Sequence, residues 1–214
     1  MSLFNDEAQK QIKTILDKME DKVEVIFFTQ EFECESCKDA HEFVKEVSEL
    51  TDKLDFTVYD FVKNQDEVKA LGIKQIPAIA LADKDGNDTR MRFYGIPGGY
   101  EINSFLTSVV EVSGGGEPLE EAVMERIKKI EKDVHIQVFV TMSCPYCPQA
   151  VINAHRLALE SPKVVADMVE AGTFPHLSNK HNVTGVPKIV INNGAEELVG
   201  AQPLEVILDK IEAL

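Results

Sequence analysis

"VFVTMSCPYCPQA", residues 138–150, sets an apolar run directly before two cysteines, Cys144 and Cys147, with prolines at 145 and 148. The run has the β-branched and aromatic content of a strand, and "PQAVINAHRLALE" after it has the apolar spacing of a helix. The cysteines therefore fall where a strand gives way to a helix. Three roles are open to such a pair: a redox dithiol, half of a metal site, or thiols buried for packing.

A second copy of the arrangement stands upstream. "VEVIFF" leads to Cys34 and Cys37 in "ECESCK", and a helical stretch "KDAHEFVKEVSEL" follows. From Cys34 to Pro77 is 43 positions, and from Cys144 to Pro187 is also 43. Each proline follows a β-branched residue, Ile76 or Val186, and opens an apolar strand.

The remaining elements keep the same order. Each half begins with a helix, about 4–20 in the first and 118–131 in the second, with Pro118 suited to a first turn. Strands "LDFTVYD" and "VVADMVEA" come next, then short helices at "QDEVKALG" and "FPHLSNKH", a hairpin, and a closing helix. Between the halves "EVSGGGEPLEEA", residues 111–122, breaks any helix. The expectation is an α/β chain of two duplicated units, 1–113 and 114–214.

Composition narrows the class. The 214 residues are long enough for two small cores. A net charge of −15 argues against nucleic acid or an anionic membrane as the main partner. No apolar run approaches the roughly 18–20 residues of a membrane span. The amino terminus opens with acids and reads as an amphipathic helix, not a secretion signal, so a cytoplasmic location is expected. All four cysteines lie in the two pairs, whereas a structural disulfide framework uses more of them at wider spacings. Packing thiols do not explain two pairs at matching positions. A Cys₄ zinc site belongs on tight turns, while these pairs run into helices. A zinc-stabilised, non-catalytic interaction domain stays as the alternative from a different class, and no metal is expected.

The chemistry follows from the spacing. A thiolate, not a thiol, attacks a disulfide. The amino-terminal end of a helix offers unpaired N–H groups and the positive end of its dipole to that anion. The second cysteine, one turn along, then resolves the mixed disulfide. X–Pro bonds carry a small cis penalty. Cis bonds at Ile76–Pro77 and Val186–Pro187 would leave amides free beside the thiols, where an extended substrate could pair as an added strand. Tyr146, inside the second motif, is placed in the substrate groove.

Strand, CxxC, helix and a later proline before a hairpin is the pattern of the thioredoxin-like superfamily. CPYC and "TGVPKIVIN" resemble glutaredoxin, and two such units in one chain resemble the protein disulfide oxidoreductases, or glutaredoxin-like proteins. The resemblance implies two thioredoxin folds, mixed sheets flanked by helices, joined into one continuous sheet. It implies redox disulfides Cys34–Cys37 and Cys144–Cys147 and no other cofactor. Cys34 and Cys144 would be nucleophiles, Cys37 and Cys147 resolving thiols, and Pro77 and Pro187 cis-prolines. The implied activity is to reduce, form or isomerise disulfides of client proteins, fed by a thioredoxin-reductase-like flavoprotein. A second reading within this chemistry is an electron-transfer module between a flavoprotein reductase and a peroxidase such as a peroxiredoxin.

Two departures from the pattern stand out. Thioredoxin has a buried aspartate six positions before its first cysteine, where this chain has Phe28 and Val138. The Gly-Gly followed by a polar and an acidic residue, usual in a glutathione site after the hairpin, is missing from "LVGAQPLE". The two sites also differ in charge. Residues 1–113 hold 13 basic against 23 acidic side chains, and 114–214 hold 9 against 14. Glu31, Glu33, Glu35, Asp39 and Glu42 surround Cys34, while "TMSCPYCPQA" carries no charge. Nearby anions oppose thiolate formation, so Cys144 is expected to be the more reactive.

Overall fold

The structure, a computed structural model, describes residues 2–214. The backbone contacts divide the chain into two units. The first holds residues 2–89, 93–96 and 105–116; the second holds 90–92, 97–104 and 117–214.

In the first unit α1 (Asp6–Leu16) is opened by Asn5, whose side chain accepts from the Ala8 N–H. β1 (Val23–Thr29) is buried along most of its length, as a strand flanked by neighbours and covered on both faces must be. It pairs in parallel with β2 (Leu54–Asp60) and antiparallel with β3 (Ala78–Ala82). The order is β2-β1-β3-β4, with β4 spanning Asp88–Tyr94. α2 (Cys37–Ser48) and α3 (Gln65–Ala70) lie in the crossover connections, and α4 (Ile102–Val112) closes the repeat. Phe93 packs edge-on against Phe105 at 5.3 Å in the core.

The second unit repeats the pattern, with order β6-β5-β7-β8. β5 (Val134–Val140) pairs in parallel with β6 (Val164–Glu170) and antiparallel with β7 (Lys188–Ile191), which pairs with β8 (Glu196–Val199). α6 (Cys147–Glu160), α7 (Pro175–Lys180) and α8 (Leu204–Glu212) complete it.

The leading helix of this unit is shorter than expected. α5 spans Glu121–Ile127, and Pro118 lies outside it. Glu120 sits at φ −59° and ψ 143°, so the proline-led stretch stays in the polyproline geometry until Glu121.

Candidate active site

The four cysteines form two disulfides, Cys34–Cys37 and Cys144–Cys147, with Cα–Cα distances of 5.4 and 5.5 Å. The helices begin at the second cysteine of each pair, not the first as the spacing suggested. Cys34 and Cys144 sit in the turn that feeds the helix, because Ser36 and Tyr146 act as cap positions. Neither cap side chain bonds the helix amides, so these remain available to an anion at the turn. Pro148 in the first turn of α6 removes one of them. Cys37 and Cys147 are 3% and 0% exposed, while Cys144 keeps 8% and Cys34 is half-buried. A macromolecular disulfide can therefore approach the first sulfur of each pair.

The prolines lie at the same end of each sheet. β3 starts opposite Phe28 and β7 opposite Phe139, where the chain is leaving β1 or β5 for the cysteines. Ile76–Pro77 and Val186–Pro187 are both cis. Both prolines are buried and both preceding residues are half-exposed. The Pro77 carbonyl accepts from Gly95 N–H at 3.0 Å and the Pro187 carbonyl from Gly200 N–H at 2.8 Å. Tyr146 is 72% exposed.

The loops before the thiols are not alike. Residues 30–33 link β1 to Cys34, but only 141–143 link β5 to Cys144. The additional residue puts Glu33 at φ 57°, in the left-handed region, and turns Phe32 out to 78% exposure. It also makes Phe27, not Phe28, the strand counterpart of Val138. All three are fully buried, so no carboxylate occupies the thioredoxin position in either unit.

A buried carboxyl belongs to a turn that meets the loop before the second site, from a place the sequence pattern gave no reason to single out. A 3₁₀ turn, Gly99–Glu101, packs against α6, and Tyr100 N–H donates to the Met142 carbonyl at 2.9 Å. Gly99 is at φ +59°, and a Cβ there would stand 2.2 Å from the Met142 carbonyl oxygen, so only glycine lets the turn come so close. Glu101 follows, fully buried. Its Oε2 accepts from Ser104 Oγ, and its Oε1 has no partner among the described residues. Burial pushes its pKa up to about 7, against the opposing pull of the Ser104 hydrogen bond. The only signal in the sequence was "PGGYE" after the hairpin.

The histidines have other occupations. His41 packs against Phe27 and Phe56, and His135 bonds Asp167 at 2.5 Å. His155 is fully buried, and that burial lowers its pKa to about 3, which keeps it neutral. Among the described residues no group of three or more His, Cys, Asp or Glu side chains is placed to hold a metal ion.

Residues 134–213 match the model of a thioredoxin domain. The whole chain is similar to the AhpF component of alkyl hydroperoxide reductase of Staphylococcus aureus, 25% identical over 98% of this chain and 38% of that protein. The chain thus spans well under half the length of that curated relative. The NTD_N/C domain of the Enterococcus faecalis AhpF superposes with a TM-score of 0.91, at 28% identity, over 97% of this chain and 99% of that one. A protein disulfide oxidoreductase of Aeropyrum pernix gives 0.89 at 29% identity, over 97% and 92%. The chain is a thioredoxin-fold protein with two CxxC sites. It is a homologue of the protein disulfide oxidoreductases.

Proposed function

We propose that the chain is a cytoplasmic protein disulfide oxidoreductase working through two dithiols. The observation that carries this is the repeated pair: a reachable first cysteine bonded to a buried second one at the start of a helix, in both units.

In the reductive direction the Cys144 thiolate attacks one sulfur of a client disulfide, and the other client sulfur leaves and takes up a proton. Cys147 then gives its proton to Glu101, and its thiolate attacks Cys144 Sγ; the bond from Cys144 to the client breaks, and the second client sulfur leaves and takes up a proton, with Glu101 returning to the carboxylate. The client gains two electrons and two protons, and Cys144–Cys147 is left as a disulfide. Cys34 and Cys37 run the same exchange in the first unit. The reverse sequence forms disulfides. Ile76, Pro77, Val186, Pro187 and Tyr146 border the thiols and hold the client backbone.

Insulin-disulfide reduction driven by dithiothreitol tests the reading. Changing both pairs to serine is expected to abolish catalysis; a rate equal to that of the unaltered protein would sink it. The similarity to alkyl hydroperoxide reductase AhpF favours a second use of the same chemistry, relay of electrons from a flavoprotein reductase to a peroxiredoxin. NADPH consumption with such a flavoprotein, a peroxiredoxin and peroxide, present only when the chain is added, would establish that use.

A further inference from the structure

The first unit carries an apolar groove beside Cys34 that the exchange chemistry does not explain. Phe32 is 78% exposed and Val62 is 66% exposed, two of the largest open apolar surfaces on the chain. They line a groove of about 280 Å³ together with Gln30, Glu31, Glu33, Asp60 and Lys63. The loop is held in shape: Gln30 Nε2 donates to the Phe32 carbonyl at 2.5 Å, and Glu33 takes its left-handed turn next to Cys34. Exposing a phenylalanine here costs burial energy with no return within the unit.

Charge decides what fits. Three carboxylates, Glu31, Glu33 and Asp60, line the groove against one ammonium, Lys63, and Glu35 sits inside the CxxC itself. Lys63 lies 3.4 Å from Asp60 and 3.8 Å from Glu31 at a solvent-open rim, so it offsets only part of that charge. Asp60 is held below the ordinary carboxylate range, first by the Lys63 backbone N–H, and stays ionised at any working pH. The turn that carries the second pair, with Met142, Ser143, Pro145 and Tyr146 exposed, has no charge, and Glu170, at the position of Asp60, is buried and takes hydrogen bonds from Thr173.

We infer that this groove is a docking surface for an extended client segment that puts an apolar side chain against Phe32 and Val62 and carries lysine or arginine beside its cystine. The first site is thus selective for basic clients, and the second is not. This rests on the oxidoreductase reading of the first site.

The test uses the full chain, pre-reduced, in single-turnover reduction. Cys144→Ser with Cys147→Ser leaves only the first site, and Cys34→Ser with Cys37→Ser only the second. Two peptide disulfides of equal length, each with a leucine next to the cystine, carry either lysine or glutamate flanks. Hydroxyethyl disulfide is the neutral reference. At low ionic strength the first site is expected to reduce the lysine peptide about tenfold faster than the glutamate peptide. The ratio should fall towards one as salt screens the rim. The second site should discriminate by less than about threefold. Glu31→Gln with Glu33→Gln should bring the first site down to that ratio. Phe32→Ser should slow both peptides about equally, by roughly fivefold. Reduction of hydroxyethyl disulfide with no charge preference, or a preference untouched by the two glutamine changes, overturns the docking inference alone. Failure with hydroxyethyl disulfide as well overturns the oxidoreductase reading of that site, and this inference with it.

Discussion

In the first unit four residues join the strand to the attacking cysteine, and in the second three do. That single residue separates the two sites. The longer loop leaves Cys34 half-buried, beside Glu31, Glu33 and an exposed phenylalanine; the shorter one leaves Cys144 at 8% exposure in an uncharged turn. Repetition keeps the backbone frame because strands and cis-prolines set it. The electrostatics are free to differ, since loop residues contribute little to either core. The proposed roles differ accordingly: charge selection in one unit, proton transfer in the other.

The comparison is broken most sharply at the cysteines. Cys144→Ser should remove exchange at the second site by more than about a thousandfold and cost the larger share of insulin reduction. Cys34→Ser should cost the smaller share. Iodoacetamide should label Cys144 faster than Cys34 in the reduced protein at neutral pH, read by mass spectrometry; the opposite order would show that access outweighs local charge.

Next in size is Glu101→Gln. Release from the second site should rise with pH through about 7 in the unaltered protein, as Glu101 becomes the carboxylate that accepts the Cys147 proton. The glutamine variant should lack that inflection and run on the order of tenfold to a hundredfold slower, while the first site is unaffected. Stability gives an independent readout. Below pH 4.5 Glu101 is protonated in both the folded and unfolded chain; between 4.5 and 7 only the unfolded chain releases the proton, so stability falls as pH rises. Above 7 the cost is fully present, and the variant should gain about 3 kcal/mol there by urea denaturation, with no gain at pH 4.

Gly99→Ala should act on the second site alone. The added methyl meets the Met142 carbonyl, and φ +59° strains it further. A shift of the turn before Cys144 should slow that site about tenfold, with the Cys34 site within twofold. The smallest effect belongs to Glu35→Gln, which removes one exposed anion from the first motif. Alkylation of Cys34 should speed up by about twofold at low salt and by less at 0.5 M. No change at low salt would mean that the acids around Cys34 serve partner choice only.

Much of this molecule was legible in the order of its residues. Both CxxC pairs, the 43-position register to Pro77 and Pro187, and the duplicated order of elements are local patterns. Strand alternation, helix spacing and an X–Pro step are written in consecutive residues, so reading them needs no knowledge of what packs where. The helix starts at Cys37 and Cys147, and the short α5 behind Pro118, differ from the expected bounds by up to four residues because caps and proline-led stretches balance close alternatives. What the sequence could not decide depends on the third dimension. Glu101 lies 43 positions before Cys144, on the far side of a glycine boundary, and an acid there looks like any surface glutamate. Only the fold groups residues 97–104 with the second unit, buries that carboxyl and raises its pKa to about 7. Burial is a property of everything around a side chain, and contacts between residues distant in sequence create it.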